Sequence, residues 1–175
     1  MSTIPAPALG VAAGTWRLDP SRSSVAFHVR HFYGLMTVKG HFDRYEGTLD
    51  LSARPAVSLI VDAGSLDTNR KQRDKHLRSS DFFDVATHPQ VRFEADSAEP
   101  RGETLKIRGL LYAAGKHVPV EADATLTPAG DEYEVEATAL VDHRELDMTW
   151  SPLGILRAPS RLIVRGRLVR AEVAR

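Results

Sequence analysis

The sequence predicts an all-β fold of about eight antiparallel strands with one short helix. Apolar residues recur at every second position over most of the chain, as in Val25, Phe27 and Val29, which is the period of a strand with one apolar face. Short turns that contain glycine or proline separate these segments, and short connections favour antiparallel pairing. The polar stretch 67–80 interrupts the alternation and is the predicted helical region.

The first half of the chain is predicted to hold a flexible tail and then strands. Residues 1–14 form the tail, because prolines and glycines interrupt it and it lacks a long apolar run. Residues 15–175 are predicted to form a single domain. Residues 36–51 are expected to form one long strand or a bent pair of strands, with Gly40 and Gly47 as the expected bend points. The strands are expected at residues 16–18, 23–31, 36–51 and 56–63.

The helical region is short and polar. It is rich in helix formers and predicts a helix over about residues 70–78, with Asp67 and Thr68 as capping candidates. Leu77 is its only strongly apolar residue, so the helix has no broad apolar face with which to join a core.

Alternation resumes after Pro89 and continues almost to the end of the chain. A mixed segment, 143–159, contains two prolines and a glycine and is predicted to be a long loop. The strands are expected at residues 90–96, 104–113, 117–127, 132–142 and 162–173.

The alternation alone leaves two architectures open, a packed sandwich and a closed barrel. Several predicted strands reach about ten residues, or roughly 33 Å at ~3.3 Å per residue. An eight-stranded barrel can enclose one small ligand. Long strands would make such a lumen tall and narrow, which suits a chain-like apolar ligand. A barrel filled by its own side chains would instead favour an interaction module that acts through its outer face.

Composition excludes several classes of function. The 175 residues include 23 basic and 23 acidic side chains, and this balance argues against broad attraction to nucleic acid or an anionic membrane, although not against a local patch. Cysteine is absent, so thiol nucleophiles and thiolate metal sites are excluded. No stretch approaches the ~20 apolar residues of a membrane span. The first residues lack the positive start and apolar run of a secretory signal, which predicts a cytoplasmic protein.

Motifs for catalysis, metals and cofactors are also absent. We find no HExxH, no GxSxG and no phosphate-binding glycine loop, so no metal centre, cofactor or enzymatic activity is predicted. His28 and His31 are three apart on a strand and point to opposite faces. One local cluster of acids and bases supports an alternative, an isomerase or hydrolase at the mouth of a barrel. It consists of Asp142, His143, Arg144 and Glu145.

Two features near the predicted helix have both a structural and a functional interpretation. The basic residues of the helix either form a solvated face or hold an anionic head group, for which arginine is well suited. The adjacent aromatics Phe82 and Phe83 would point in opposite directions on an extended segment, so that one caps the barrel and the other lines it. The basic residues are Arg70, Lys71, Arg73, Lys75 and Arg78.

Several blocks of sequence together carry a family resemblance. They include the opening strand, the strand that follows, and a dense polar block that continues through Phe82 and Phe83 into the next strand. With these blocks, the chain resembles the YceI-like family of polyisoprenoid-binding proteins over about residues 16–169. The blocks are residues 19–31, 37–42, 65–69, 73–84, 88–93, 109–111 and 115–120.

The resemblance implies an eight-stranded antiparallel lipocalin-like β-barrel with one short helix and no established enzymatic activity. It implies a lumen that binds a long-chain isoprenoid lipid, of the polyprenyl diphosphate or isoprenoid quinone type. The family usually has Phe-Gly where this chain has Leu146 and Asp147. Many family members carry a secretory signal, and a homodimer is compatible with the sequence.

The expected ligand site follows from the barrel and the resemblance. Arg73, His76 or Arg78 would meet the lipid head group. One of the two adjacent phenylalanines would join the lumen wall. The residues expected to line the lumen are Val25, Phe27, Val29, Phe42, Leu59, Val61, Phe82, Phe83, Phe93, Ile107, Leu111 and Val120.

Overall fold

The computed structural model describes residues 11–31, 36–52, 54–101, 103–148 and 156–171, without the side chains of His31, Met36 and residues 156–158. The described residues form one antiparallel sheet of 11 strands and one α-helix, α1, at Lys71–Arg78. The strands are β1 Thr15–Leu18, β2 Ser24–His31, β3 Met36–Phe42, β4 Tyr45–Asp50, β5 Ala56–Asp62, β6 Leu66–Asp67, β7 Gln90–Arg101, β8 Thr104–Ala113, β9 Lys116–Ala129, β10 Glu132–Val141 and β11 Leu156–Arg170.

The sheet closes into an eight-stranded barrel, which confirms the predicted fold class. The ring runs β1-β4-β5-β7-β8-β9-β10-β11 and returns to β1. The long β11 pairs with β1 near its end, where Trp16 faces Arg170, and with β2 nearer its start, where Val25 faces Val164. Therefore β1 and β2 follow one another along the same edge of β11. In the same way, β4 pairs with β1 and β3 pairs with β2, so β3 and β4 follow one another in the next place around the barrel.

The chain bends at two points in the barrel wall, between β1 and β2 and between β3 and β4, and a serine makes a close contact at each bend. Between β1 and β2, Gly166 of β11 lies so close to Ser23 that a Cβ atom at this position would collide with the serine hydroxyl. Between β3 and β4, the Arg44 N–H donates to the Ser65 hydroxyl over 3.0 Å. The predicted bends at Gly40 and Gly47 are therefore wrong, because both glycines lie inside strands.

The helix begins as predicted but is capped differently. Its N-cap is Arg70, which makes no capping hydrogen bond through its side chain. The Asp67 carboxylate accepts the N–H of Asn69 instead, over 2.7 Å. Thr68 donates its hydroxyl to the Asp74 carboxylate over 2.5 Å. The capping prediction is thus wrong, since Asp67 bonds to Asn69 ahead of the helix and Thr68 bonds to the side chain of Asp74 within it.

The last strand begins earlier than the alternation predicted. β11 starts within the expected loop 143–159, and a break in register between Arg157 and Arg161 accommodates Pro159, which has no N–H for the ladder. Another part of that loop, His143–Leu146, forms a 3-10 turn. Residues 149–155 of the expected loop lie outside the described residues.

The two ends of the barrel differ. At the lower end, where β1 begins and β11 ends, the Trp16 ring packs edge-on against Tyr133 with ring centroids 4.9 Å apart. The buried Val11 belongs to the same apolar cluster, and the Ala12 N–H donates to the Tyr133 hydroxyl over 3.1 Å. The described part of the predicted tail thus packs against the barrel, while residues 1–10 lie outside the described residues.

The opposite, upper end is where β2 ends and β11 begins. It carries α1, the two adjacent phenylalanines and the turn His143–Leu146. The Phe83 N–H donates to the Leu77 carbonyl over 3.0 Å, which ties the phenylalanines to the helix. The upper end is therefore covered by irregular segments, whereas large side chains of the wall and Val11 fill the lower end.

Candidate functional site

The apolar faces of the strands turn inward and enclose a cavity of about 150 Å³. Eight of the residues predicted to line a lumen do so. The other four predicted residues pack against the same apolar clusters without lining this cavity. The eight lining residues are Val25, Phe42, Leu59, Val61, Phe93, Ile107, Leu111 and Val120. The other four are Phe27, Val29, Phe82 and Phe83.

Many lining residues were missed, although the same alternation pointed to them. Leu162, Val164 and Leu168 of β11 stand two or four positions apart and face the cavity together. Leu18 and Leu49 extend the cavity wall toward the lower end. An apolar residue two positions from a lining residue lies on the same face, so extending each alternating run would have found them.

Small side chains on β9 and β10 leave the space for the cavity. Ala137 stands opposite Ala124 in the strand register, and Ala139 stands opposite Ala122. All four alanines line the cavity. Larger residues such as Phe93 and Ile107 lie on other parts of the same wall. A methyl group at each of these four positions fills much less volume than a leucine or phenylalanine, so this side of the wall stays recessed.

The upper part of the lumen is bounded by aromatic rings in tilted and edge-on contact. The Phe27 and Phe42 ring centroids lie 5.4 Å apart, and Phe83 meets Phe42 edge-on at 6.0 Å. Gly40 makes room for this arrangement, because a Cβ atom there would collide with the Phe27 ring. Phe82 lies against His76 instead, with ring centroids 5.3 Å apart. The two adjacent phenylalanines therefore have different neighbours.

The predicted head-group residues all belong to the region that holds α1 on the barrel. Arg73 donates to the Thr68 hydroxyl over 2.8 Å and to the Thr68 carbonyl over 2.7 Å. Arg78 donates to the carbonyls of Gly64, over 3.0 Å, and Leu66, over 2.6 Å. His76 contacts the Asp81 carboxylate over 2.9 Å. These bonds fasten the helix, and contact with a ligand stays a prediction for all three residues.

The second predicted cluster, residues 142–145, is held by two separate contacts. The Asp142 carboxylate accepts hydrogen bonds from the Arg144 guanidinium over 2.8 and 3.0 Å, and this lowers the Asp142 pKa to about 2. His143 is buried and its Nδ1 lies 2.8 Å from the Ser160 hydroxyl. Burial lowers the pKa of His143; the negative charge of Asp142 opposes this shift and the positive charge of Arg144 adds to it. The carboxylate of Asp142 thus bonds to Arg144 rather than to the imidazole.

The turn formed by these residues continues into the apolar covering of the upper end. Leu146 and Met148 are buried against Leu111 and Val141. Asp147 stands between them in the left-handed conformation with φ of 58°. Its position is the one at which the resembled family usually has glycine, which adopts this conformation without a steric penalty.

One surface group brings together atoms that metal ions prefer. His41 Nε2 lies 3.1 Å from Asp43 Oδ1. With Asp67, their ligand atoms all lie within 4.8 Å of one another. His41 and Asp67 are partners in the β3–β6 register, so strand pairing brings them together although they are far apart in sequence. The side chains of His41 and Asp43 are 45% and 60% exposed, which makes an ordinary surface ion pair a sufficient explanation.

Within the part of the chain that the structure describes, no helix has both the length and the apolar character needed to cross a membrane.

Comparison with known proteins places these features in a family. A model described as YceI-like domain matches residues 16–173. A UPF0312 protein of Pectobacterium atrosepticum is 33% identical over 112 residues, which are 62% of this chain and 58% of the relative. The Salmonella arizonae protein YceI is 35% identical over 126 residues, or 69% of this chain and 65% of the relative. The chain therefore spans about three fifths of the length of these relatives.

Solved structures share the fold. Burkholderia cenocepacia BcnA superposes with a TM-score of 0.78 at 17% identity, over 86% of this chain and 98% of that one. The Campylobacter jejuni YCEI protein gives 0.70 at 21% identity, over 79% and 88%. A domain from Saccharophagus degradans, described as polyisoprenoid binding and implicated in plant cell wall breakdown, gives 0.70 at 11% identity, over 91% and 100%.

Proposed function

This chain belongs to the YceI-like family, and from that premise we propose that it is a non-catalytic carrier of a long-chain isoprenoid lipid. The observation that carries the proposal is the apolar cavity inside the barrel, with its recess along Ala122, Ala124, Ala137 and Ala139. The Saccharophagus degradans domain, which shares the fold, supports the class of ligand by its description as polyisoprenoid binding.

The physical basis of binding would be the removal of apolar surface from water. Each Å² of apolar surface buried stabilises a complex by ~25 cal/mol. An isoprenoid chain is apolar along its whole length, so it could bind such a wall with few polar contacts. Specificity would then depend on the shape of the lumen and on the head group.

The size of the cavity adds a requirement to the proposal. A cavity of about 150 Å³ is comparable to those that hold a benzene molecule, whereas sites for larger ligands typically measure ~300–1,000 Å³. A chain of several isoprene units must therefore displace side chains that line the lumen. Leu59, Phe93 and Leu162 are suited to this movement, because they face the cavity and remain only partly buried.

The head group would lie at the upper end of the barrel, near α1. We propose a diphosphate or a quinone there, in contact with Arg73, His76 or Arg78. An arginine has five N–H donors, and the bonds that Arg73 and Arg78 make to Thr68, Gly64 and Leu66 use two donor nitrogens in each residue. The remaining N–H groups could bind a phosphate oxygen without loss of the bonds that hold the helix.

The alternative of catalysis by residues 142–145 is less well supported. A general base and the group that orients it should be hydrogen-bonded to each other. Asp142 bonds to Arg144 instead, and His143 pairs with Ser160 within the covered upper end. Turnover that survives the substitution His143→Ala would remove this histidine from any catalytic scheme.

Extraction of the purified full-length protein into organic solvent, followed by mass spectrometry, tests the carrier proposal. We expect an isoprenoid lipid in stoichiometric amount, or uptake of added polyprenyl diphosphate or isoprenoid quinone by lipid-free protein. Recovery of no lipid in repeated preparations, together with no uptake of either added ligand, would overturn the proposal.

Two finer expectations stay predictions. Residence in the cytoplasm is tested by fractionation of cells that express the native gene. Formation of a homodimer is tested by light scattering coupled to size-exclusion chromatography.

A further inference from the structure

Four basic side chains form a continuous patch on the outside of the barrel, near its upper end. His28 of β2 stands opposite Lys39 of β3 and, on its other side, opposite Arg161 of β11. Arg30 lies two positions further along β2 and therefore on the same face. The intervening residues on β2 pack against the apolar core, so these four side chains face outward. We call His28, Arg30, Lys39 and Arg161 the upper basic patch.

The charges of the upper basic patch are not neutralised by acidic neighbours. Among the described residues, Arg30, Lys39 and Arg161 make no ion pair. Burial and the positive charges of Lys39, Arg161 and Arg165 lower the pKa of His28, which is consistent with an excess of positive charge at this place.

Other outward cations of the same barrel behave differently. Four of them, on β8 and β11, each have an acidic partner on a neighbouring strand, as expected for a solvated face with both signs of charge. The pairs are Lys106 with Asp123 at 3.2 Å, Arg108 with Glu121 at 3.0 Å, Arg165 with Glu136 at 3.4 Å and Arg167 with Glu134 at 3.1 Å. Among the described residues, the upper basic patch therefore differs from these four cations of β8 and β11 in having no ion-paired acidic partner.

An exposed apolar side chain adjoins this patch. Leu140 of β10 is 59% exposed and is the large hydrophobic residue left uncovered in the described part of the chain. It stands opposite Arg161 in the β10–β11 register. Contact with water does not stabilise an exposed leucine side chain. At a lipid surface, the same side chain can enter the boundary between head groups and acyl chains.

We propose that the upper basic patch, with Leu140, docks the protein on a membrane surface that contains anionic phospholipids. The cations would meet lipid phosphates while Leu140 enters the interface. Docking would bring the upper end of the barrel against the bilayer. Nucleic acid also presents phosphates, but its backbone offers no apolar layer for Leu140, so the membrane is the occupant that uses both parts of the surface.

This inference is separate from the carrier proposal, because it requires no ligand in the lumen. A basic residue near an anionic membrane contributes ~1 kcal/mol, which is roughly fivefold in binding. Removal of three such charges should therefore weaken binding by at least about tenfold, and by as much as roughly 100-fold if the charges act independently.

Sedimentation with vesicles tests the inference directly. Vesicles of phosphatidylcholine with phosphatidylglycerol would be compared with vesicles of phosphatidylcholine alone. The test variant combines Arg30→Gln, Lys39→Gln and Arg161→Gln. A matched control removes three exposed cations from the lower end, as Arg17→Gln, Arg54→Gln and Arg101→Gln. Circular dichroism would establish that both variants fold.

We expect the unaltered protein to bind the anionic vesicles, with binding weakened by added salt. The upper-patch variant should lose at least about tenfold in affinity, and the control should stay within about twofold. Leu140→Ser should also weaken binding. Absence of binding by the unaltered protein, or an equal loss in the control, would overturn the proposal. So would tight binding to RNA without binding to vesicles.

A variant with a filled lumen separates this inference from the carrier function. Ala124→Phe should reduce lipid uptake by at least about tenfold if the carrier proposal is correct, but it leaves the outer face unchanged and should retain vesicle binding. Loss of vesicle binding by this folded variant would overturn docking through the upper basic patch.

Discussion

At the scale of single residues, Asp147 shows how a backbone conformation restricts the choice of side chain. Its φ of 58° lies in the left-handed region, and its N–H donates to carbonyls of Arg144 and His143 at the end of the 3-10 turn. Glycine adopts this conformation freely, whereas other residues are strained by ~1 kcal/mol or more. The glycine that the resembled family usually has at this position therefore has a structural explanation.

The substitution Asp147→Gly should stabilise the protein by about 0.5–1 kcal/mol, because release of backbone strain exceeds the loss of an exposed ion pair with Lys116. Chemical denaturation would measure the change in unfolding free energy. Glu145→Gly in the same turn is the control and should destabilise, since glycine there only adds freedom to the unfolded chain. Equal effects of both substitutions would contradict the explanation.

His143 gives a pH dependence of stability. Burial lowers its pKa in the folded protein below the usual value of 6.5, so the unfolded chain binds a proton more readily. Stability should therefore be lost as the pH falls below about 6.5, and should be unaffected by this group at higher pH. Urea denaturation at pH 7.5 and pH 5.5 would show a smaller loss for His143→Gln than for the unaltered protein. An equal loss of unfolding free energy in the two proteins between pH 7.5 and pH 5.5 would contradict the assignment of this pH dependence to His143.

At the scale of elements, α1 is attached to the barrel by polar contacts rather than by an apolar face. The buried Asp74 carboxylate accepts the Thr68 N–H over 2.9 Å and the Thr68 hydroxyl over 2.5 Å. Arg73 and Arg78 bond to carbonyl groups of the segment that precedes the helix. The polar block that carries the family resemblance thus holds a weakly apolar helix against the upper end of the barrel.

The substitution Asp74→Ala should destabilise the protein by roughly 2–4 kcal/mol, because it leaves two buried donors of Thr68 without an acceptor. Thermal and urea denaturation would measure this effect. Asp81→Ala removes an exposed carboxylate from the same region and should cost less than about 1 kcal/mol. A loss at Asp74 no larger than the loss at Asp81 would show that the attachment does not depend on this carboxylate.

At the scale of the whole molecule, the closed ring of strands produces a lumen whose open space depends on four alanines in register. A larger side chain there should fill the cavity and compete with a ligand. The wall of β9 offers a matched pair of adjacent positions, since Ala124 faces inward and Thr125 faces outward.

Ala124→Phe should reduce isoprenoid uptake by at least about tenfold, which corresponds to ~1.4 kcal/mol of lost binding free energy. Thr125→Phe adds the same side chain on the outside and should leave uptake unchanged. Titration with a fluorescent isoprenoid analogue would compare the two variants. Full uptake by a folded Ala124→Phe variant would place the ligand outside the cavity.

Sequence periodicity predicted much of the wall but little of how its parts meet. A period of two is a property of a few consecutive residues, so Val25, Phe42 and Phe93 were correctly assigned to the inner face. The bend at Asp43 and Arg44 was missed, because it depends on hydrogen bonds to Ser65, which is distant in the chain. The bonds that Arg73 and Arg78 make to Thr68 and Leu66 were missed too, because alternation describes strands and carries no information about the side-chain contacts of a helix.

The sequence by itself determined that this protein is built from strands with one apolar face, and its motifs identified the family to which the chain belongs. Only the tertiary structure decided that the alanines of β9 and β10 lie side by side and leave a recess. It alone also assembled cations from β2, β3 and β11 into one patch. Alternation follows from local backbone geometry, whereas register between distant strands follows from the packing and hydrogen bonding of the whole closed sheet.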